Sequence, residues 1–250
     1  MNEIKHDELA MEVVLTAGKL MIESGADMAR VDDTMYRLAK NAGIKEPRIF
    51  ETTTGIMMSA PKSKLTRIEP INERSINLEM VSRVNDLSRA FQRGELSLEE
   101  VDERLNRMKT TTPFFVFTWQ LLAAAIVSST LLMMYGGSFL DFFPAFFAGG
   151  IGYAVYWYIN TRFKVKFVSE FLGALVIGLC ASFFVRFHLG ISMGMITIGA
   201  VMPLVPGVPL TNAVRDVLAG HILSGISRGT EALISACAIG FGIAVVLRFF

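Results

Sequence analysis

Between Met202 and Arg228 the sequence reads MPLVPGVPLTNAVRDVLAGHILSGISR, an apolar run interrupted first by three prolines and then by a group of polar residues. Pro203, Pro206 and Pro209 have no backbone N–H and cannot continue an ordinary helix, so a membrane helix broken at this point is predicted. Thr211, Asn212, Arg215 and Asp216 follow at once, and such groups are costly in hydrocarbon unless they face a cavity or water. The chemistry they suit is recognition of a small polar solute. Gly207 permits close approach of substrate or backbone, and a helix restarting near Thr211 turns its positive dipole end towards a carboxylate. Arg215 adds a planar, permanently charged fork for that carboxylate. A plainer reading has the prolines simply end a span and Arg215 serve as a membrane-face anchor neutralised by Asp216. Discontinuous transporter helices combine breakers and polar residues in this way. The substrate pathway is therefore expected at Pro203, Pro206, Gly207, Pro209, Thr211, Asn212, Arg215 and Asp216. Asp216 is also a candidate for proton movement, whereas His221, a single histidine in an expected loop, is most simply solvated.

Other chemistry-bearing residues are scattered. Glu51 and Thr54, with Thr52 and Thr53 between them, could form a polar gate or sensor, although the solvent face of a strand explains them as simply. Glu170, Asn160 and Gln120 could line a pathway, with snorkelling to the interface the simpler account of Glu170. Trp119, Tyr156, Trp157 and Tyr158 read as interfacial aromatics. Cys180 and Cys237 lie in apolar runs without metal-ligand spacing and read as small buried residues. Ser24 and His6 show no nucleophile–base–orienter pattern, so an enzyme is not expected, nor is any cofactor or metal.

The elements that must position these residues differ between the two parts of the chain. Residues 1–112 contain 17 Lys plus Arg and 19 Asp plus Glu; residues 113–250 contain only 7 and 4. Neither part has the concentrated basic stripe that nucleic acid would require. With 250 residues, 52% of them hydrophobic, and a mean hydropathy of +0.46, there is apolar material for several spans and a modest further core. The mixed-charge start MNEIKHDELA lacks a signal-peptide pattern, which predicts that the first part stays in the cytosol.

Leu9, Val13, Ala17 and Leu20 mark one face of a first helix ending at Gly25. Asp27 is a plausible N-cap for a second helix, which carries Val31, Met35, Leu38 and Ala42 and stops at Gly43. Arg48 to Ala60 followed by Leu65 to Glu69 predicts a two-stranded hairpin. Ile76, Met80, Val84, Leu87 and Phe91 form a third apolar stripe, and Ser97 with Glu100 makes a capping box for a fourth helix. A small cytosolic α+β domain over residues 1–112 is expected. Residues 113–250 form the transmembrane helical transport domain, the whole being an α-helical integral membrane protein. Five spans of about 20 apolar residues are expected there, near 114–134, 139–159, 167–187, 191–210 and 230–249.

Loop charge sets the expected orientation. Arg162, Lys164 and Lys166 follow the second span, while residues 136–138 and 188–190 have neither Lys nor Arg. The positive-inside rule then places the first part and a loop from Thr211 to Gly229 in the cytosol and Phe250 outside. Small residues at helix-packing spacing, Ala145, Ala148, Gly149 and Gly152 in the second span and Ala236, Gly240 and Ala244 in the fifth, predict a packed bundle with faces left for a partner.

The pattern PxVPGxPLTNAxRDxLxGxxxSGxxR, from Pro203 to Arg228, resembles the membrane half of the threonine/serine exporter family. Leu15 to Gly43, LTAGKLMIESGADMARVDDTMYRLAKNAG, is similar to the start of that family's cytosolic domain, as is TTTGIMMSAP from Thr52 to Pro61. The resemblance implies export of small polar metabolites: threonine, serine or, in some split systems, a dicarboxylate such as succinate. Fused members carry a second membrane module that this chain lacks, which implies a separate small membrane protein as partner. An odd span count, permitting opposite insertion of two modules, independently favours a hetero-oligomer.

The function expected is thus a secondary exporter subunit in the bacterial inner membrane, driven by an ion gradient, since no GxxxxGK[ST] phosphate loop is present. Its expected partners are that second module, the carboxylate or amino-acid substrate and the lipid bilayer. Rival readings are a membrane-anchored ligand sensor or scaffold without transport activity, and an enzyme built on the first domain.

Overall fold

A computed structural model of the chain describes residues 3–60, 64–111 and 115–249. The expected domain boundary at residues 112–113 and the C-terminal Phe250 lie outside the described residues. The chain falls into two compact units, Met1–Phe114 with Val208–Thr230, and Phe115–Gly207 with Glu231–Phe250.

The first unit begins with helices α1 (Glu3–Glu23) and α2 (Met28–Asn41). Gly25 joins them at φ 82°, a conformation open to glycine at no steric cost. The Ala26 N–H donates to Met21 O at 3.0 Å and the Gly25 N–H to Ile22 O at 3.1 Å, so the last carbonyls of α1 are satisfied within the turn. Asp27 caps α2 as expected, accepting from the Arg30 N–H at 3.1 Å. α1 is buried on more than the single face that its periodicity suggests, because α2 (Met28–Asn41), the sheet and two further helices surround it. Met11, Val14, Ala17 and Met21 from α1 meet Val31, Met35 and Leu38 from α2 in this core.

The sheet has three antiparallel strands, β1 (Arg48–Thr52), β2 (Gly55–Ala60) and β3 (Leu65–Pro70), in that order. This corrects the two-stranded hairpin expected from residues 48–69. Residues 48–60 do not make one strand, because the Thr52 Oγ1 accepts from the N–H groups of Thr54 (3.3 Å) and Gly55 (3.2 Å), which closes a tight turn at Thr53–Thr54. Helices α3 (Leu78–Gln92) and α4 (Leu98–Thr111) complete the layer. The capping box on α4 forms, with Ser97 N–H to Glu100 Oε2 at 2.7 Å and Glu100 N–H to Ser97 Oγ at 3.2 Å.

The second unit holds α5 (Phe117–Met134), a 3-10 turn at Phe139–Asp141, α6 (Phe142–Phe163), α7 (Lys166–Arg186), α8 (Met193–Val201) and a second 3-10 turn at Met202–Leu204. After these the chain forms α9 (Gly207–Leu218) and α10 (Ile222–Phe249), whose later part returns to this unit. Among the described residues four helices are long and apolar enough to cross a membrane, and up to five spans result if the broken pair Met193–Leu204 and Gly207–Leu218 counts as one. The expected loop from Thr211 to Gly229 is corrected: it is helical except for the short turn between α9 and α10. Polar residues suggested a loop, but Asn212, Ala213 and Asp216 share one buried helical face while Leu210, Val214 and Leu218 occupy the exposed one.

Small residues let α6 and α7 pack closely. A Cβ added at Gly152 would lie 2.2 Å from Ile177 Cγ1, and one at Gly173 would lie 3.1 Å from the Gly152 carbonyl oxygen. Ala145, Ala148, Gly149 and Gly152 are buried in this bundle, whereas Ala236, Gly240 and Ala244 on α10 are exposed. Phe143, Phe147, Phe183, Leu233 and Phe241 are also exposed in this unit, an apolar surface suited to hydrocarbon rather than water.

Candidate functional site

The residues after the proline cluster are positioned by two helix ends that meet within the first unit. α9 stops at Gly220, φ 91°, where the His221 N–H reaches back to Asp216 O at 2.8 Å and α10 can start. The buried faces of α9 and of the first turns of α10 lie on the α1–α2 turn, residues Ser24–Met28. Asp216, wholly buried, accepts the Met28 N–H through Oδ1 at 2.7 Å and faces the Arg228 guanidinium through Oδ2, with Nε at 3.4 Å. Arg228 in turn donates from Nη2 to Ala26 O at 2.7 Å. The Asn212 amide donates to Gly25 O at 2.8 Å, and Arg215 Nη1 donates to Asp27 Oδ2 at 3.1 Å. Met28 opens α2, where helical N–H groups have no partner of their own and the dipole favours negative charge. Two carboxylates, Asp27 and Asp216, therefore stand at the positive end of that helix, each also paired with an arginine.

A second polar cluster lies beside the α9–α10 turn, in a recess of about 350 Å3 bordered by Asp32, Glu51, Thr52 and His221. Glu51, at the end of β1, is only 8% exposed, so the solvent-face reading does not apply to it. Its carboxyl is hydrogen-bonded to that of Asp32 from α2, and its Oε1 lies 3.6 Å from His221 Nδ1. Burial, reinforced by the Asp32 charge, pushes Glu51 up to about 7. Burial raises Asp32 as well, opposed by nearby His221. Two such carboxyls in contact hold a proton between them more readily than either would alone. Thr53, buried in the β1–β2 turn, donates to Ser227 Oγ at 3.2 Å, while Thr54 is exposed at the tip.

The residues expected to form one pathway are thus divided. Pro203, Pro206 and Gly207 belong to the second unit, and Pro209, Thr211, Asn212, Arg215 and Asp216 to the first. The helix does break where the prolines predicted: α8 passes into the 3-10 turn Met202–Leu204, Val205 is extended (φ −63°, ψ 129°), and helix resumes at Gly207. Asn212 and Asp216 point into the first unit and are buried, whereas the Arg215 side chain is 53% exposed. Elsewhere in the second unit Gln120 accepts from the Tyr153 hydroxyl at 2.8 Å, and Asn160 lies near the end of α6. Trp119 and Tyr158 are exposed and Trp157 packs on Phe117. Glu170 is not at a surface at all, being 3% exposed, which overturns the snorkelling reading.

Sequence reasoning passed over Asp32 altogether and gave Asp27 only a capping role. Asp141 is buried and orders the start of α8, accepting from the N–H groups of Ile191 (2.6 Å) and Ser192 (3.4 Å). Ser24 lies apart from His6, whose Nε2 is 2.9 Å from Ala42 O. Among the described residues no group of three or more His, Cys, Asp or Glu is placed to hold a metal ion.

Membrane-length apolar helices, a helix interrupted at prolines and a compact polar unit attached to them define a multi-pass membrane protein of the transporter class. The chain belongs to the threonine/serine exporter family: the family model described as "Putative threonine/serine exporter" matches residues 12–250. It is similar to two proteins named "Probable succinate transporter subunit YjjP". The one from Klebsiella aerogenes is 23% identical over 231 residues, covering 91% of this chain and 88% of that protein. The one from Escherichia coli strain K12 is 22% identical over 237 residues, covering 93% and 91%. No solved structure matches the chain.

Proposed function

We propose that this chain is one subunit of a secondary transporter that exports a small carboxylate or amino acid, of the class of threonine, serine or succinate, across the bacterial inner membrane. A separate small membrane protein supplies the second transport module. The observation that carries the reading is the interruption of an apolar helix at Met202–Pro206 in a chain of this exporter family. Such breaks place helix ends and unpaired dipoles where a solute must be recognised within the membrane. The names of the relatives, which contain both "succinate" and "subunit", support the substrate class and the need for a partner.

In this reading the first unit lies in the cytosol, as the basic residues Arg162, Lys164 and Lys166 favour, and substrate enters from that side. Pro203, Pro206, Gly207 and Pro209 shape the break, and Thr211 lies just beyond it. Arg215 receives the substrate carboxylate. Its half-exposed fork is paired with Asp27, so substrate competes with Asp27 for one guanidinium. Asn212 and Asp216 act from behind, fixing the helix that carries Arg215 onto the α1–α2 turn. Glu51 serves as the gate or sensor residue beside the α9–α10 turn, with Thr54 at the adjoining strand tip. Competition binding of succinate, threonine and serine to the chain together with its second module tests this. Arg215→Gln is expected to weaken binding of the preferred compound by about 10- to 100-fold, the loss of one charge-assisted contact. Unchanged affinity in that variant would remove Arg215 from the site.

A further inference from the structure

The most anomalous group in the second unit is a carboxylate inside the helix bundle. Glu170 lies one turn into α7 and is 3% exposed, and its Oε2 has no hydrogen-bond partner among the described residues. Ser235 on α10 is fully buried next to it, and its hydroxyl belongs to the same polar spot. One turn nearer the helix end, Lys166 donates to Glu231 Oε1 at 2.8 Å, and these two side chains are 38% and 24% exposed. The spacing makes a two-rung ladder between α7 and α10: Lys166 with Glu231 at the partly open mouth, Glu170 with Ser235 behind it.

A buried charge in apolar surroundings must be paired, be neutralised by a proton or bind a cation. Among the described residues the cation beside Glu170 is Lys166, which is already paired with Glu231. Of the elements around Glu170, α6 presents the Tyr156 phenol, α10 presents Glu231 and Ser235, and α7 itself presents Lys166. α8 and the 3-10 turn after it, MGMITIGAVMPL, contain no ionisable side chain. The surroundings thus offer two hydroxyls and, at the mouth, one ammonium already paired with one carboxylate, too little to hold a permanent anion and well suited to a group that gains and loses a proton. Glu231 at the mouth is placed to pass that proton between solvent and Glu170.

We propose that Glu170 is the proton-binding carboxylate of the transport cycle, loading one proton through the Glu231–Lys166 mouth and releasing it when the helices around it rearrange. On loading, one carboxyl O–H bond forms; on release the same bond breaks, the proton leaves to water and one negative charge is restored. The site deepens the exporter reading and rests on it for its role, but its chemistry is testable without any transport.

The first test uses the purified full chain in lipid nanodiscs and dicyclohexylcarbodiimide, which reacts with carboxyls that are protonated in apolar surroundings. Mass spectrometry of the α7 peptide is expected to show modification at Glu170 that falls at least tenfold between pH 6 and pH 9. Replacing Glu170 by Gln removes it. Glu231→Gln slows it while leaving its final extent. Absence of modification at every pH, or modification independent of pH, would overturn the proposal.

The second test measures succinate and threonine flux in vesicles containing the chain and its second module, with and without an imposed proton gradient. Wild type is expected to respond to the gradient at least tenfold. In Glu170→Gln the ratio of the two fluxes falls to about one. Glu170→Asp keeps a response with a displaced pH profile, which a merely structural role would not produce. A gradient response retained in Glu170→Gln, or flux driven by sodium and indifferent to pH, would overturn the assignment of Glu170. Absence of any flux in the wild-type pair would instead count against the exporter reading, with the labelling result still deciding whether Glu170 takes up a proton.

Discussion

Replacing Glu51 by Gln should flatten the pH dependence of the first unit's stability. In the folded chain burial and the neighbouring Asp32 hold the Glu51 carboxyl at about 7, against a reference value of 4.5. Below 4.5 both the folded and the unfolded chain keep this proton, and the stabilising contribution is complete. Between 4.5 and 7 the unfolded chain releases it while the folded chain does not, so stability falls as pH rises. Above 7 both have released it and the loss is complete. A displacement of this size amounts to about 3 kcal/mol at about 1.36 kcal/mol per unit, shared in practice with the hydrogen-bonded Asp32. The amide of the Glu51→Gln variant has no proton to lose in this range, so the variant should lack most of that slope and, at pH 8, match or exceed wild type. Both tryptophans, Trp119 and Trp157, belong to the second unit, so their fluorescence does not report on this one. Amide hydrogen exchange of residues 48–60 in the full chain, corrected for intrinsic rates at each pH, gives the opening free energy directly. A variant whose opening free energy still falls in parallel with wild type from pH 5 to pH 7.5 would refute the assignment of the shared proton to Glu51.

Two further outcomes follow from packing and charge. Arg228→Met leaves the buried Asp216 carboxylate without its cation and should cost the first unit about 3 kcal/mol or more, whereas Asp216→Asn combined with Arg228→Met should cost clearly less than the sum of the single changes; strict additivity in the hydrogen-exchange cycle would show that the two groups do not interact. Gly152→Ala drives a methyl into Ile177 and should destabilise the second unit by about 1–3 kcal/mol, read as a lower unfolding midpoint by fluorescence of Trp157 on the same helix; an unchanged midpoint would mean that α6 and α7 are not in such close contact.

How much of this was legible in the sequence depended on the range of the interaction. Local signals translated directly. Asp27 caps α2, Ser97 and Glu100 close the box on α4, Gly25 and Gly43 end their helices, and the prolines between Met202 and Pro209 mark a real break. The Thr53–Thr54 turn was missed because nothing but threonine hydroxyls announces it, and β-branched residues there read equally well as strand. The segment after Pro209 was misread for a related reason. Its polar residues suggested a loop, although their spacing puts Asn212, Ala213 and Asp216 on one side of a helix. Pairings between residues nearly two hundred positions apart, such as Asp27 with Arg215 and Met28 with Asp216, have no local signature. The burial of Glu170 was hidden too, since a carboxylate four residues from a helix start looks the same in sequence whether it reaches an interface or faces α10.

The polar residues that first suggested a transport site consequently take on two kinds of work. Asp216, Asn212 and Arg228 join α9 and α10 to the α1–α2 turn, a buried set of hydrogen bonds and one ion pair whose value lies in holding one arrangement. Arg215 alone among the charged members keeps half its surface open. On the proposal that Arg215 receives the substrate, the helix that carries it is held in the first unit by that network. Loss of the network is therefore expected to disturb substrate recognition without touching substrate.

The central claim is tested most directly by the flux of labelled succinate, threonine and serine out of sealed vesicles that contain this chain, the proposed second-module partner, both proteins or neither. Export of at least one of these compounds only when both proteins are present, increased by an ion gradient, is the predicted result. Equal loss of all three compounds from vesicles with and without the pair would contradict it.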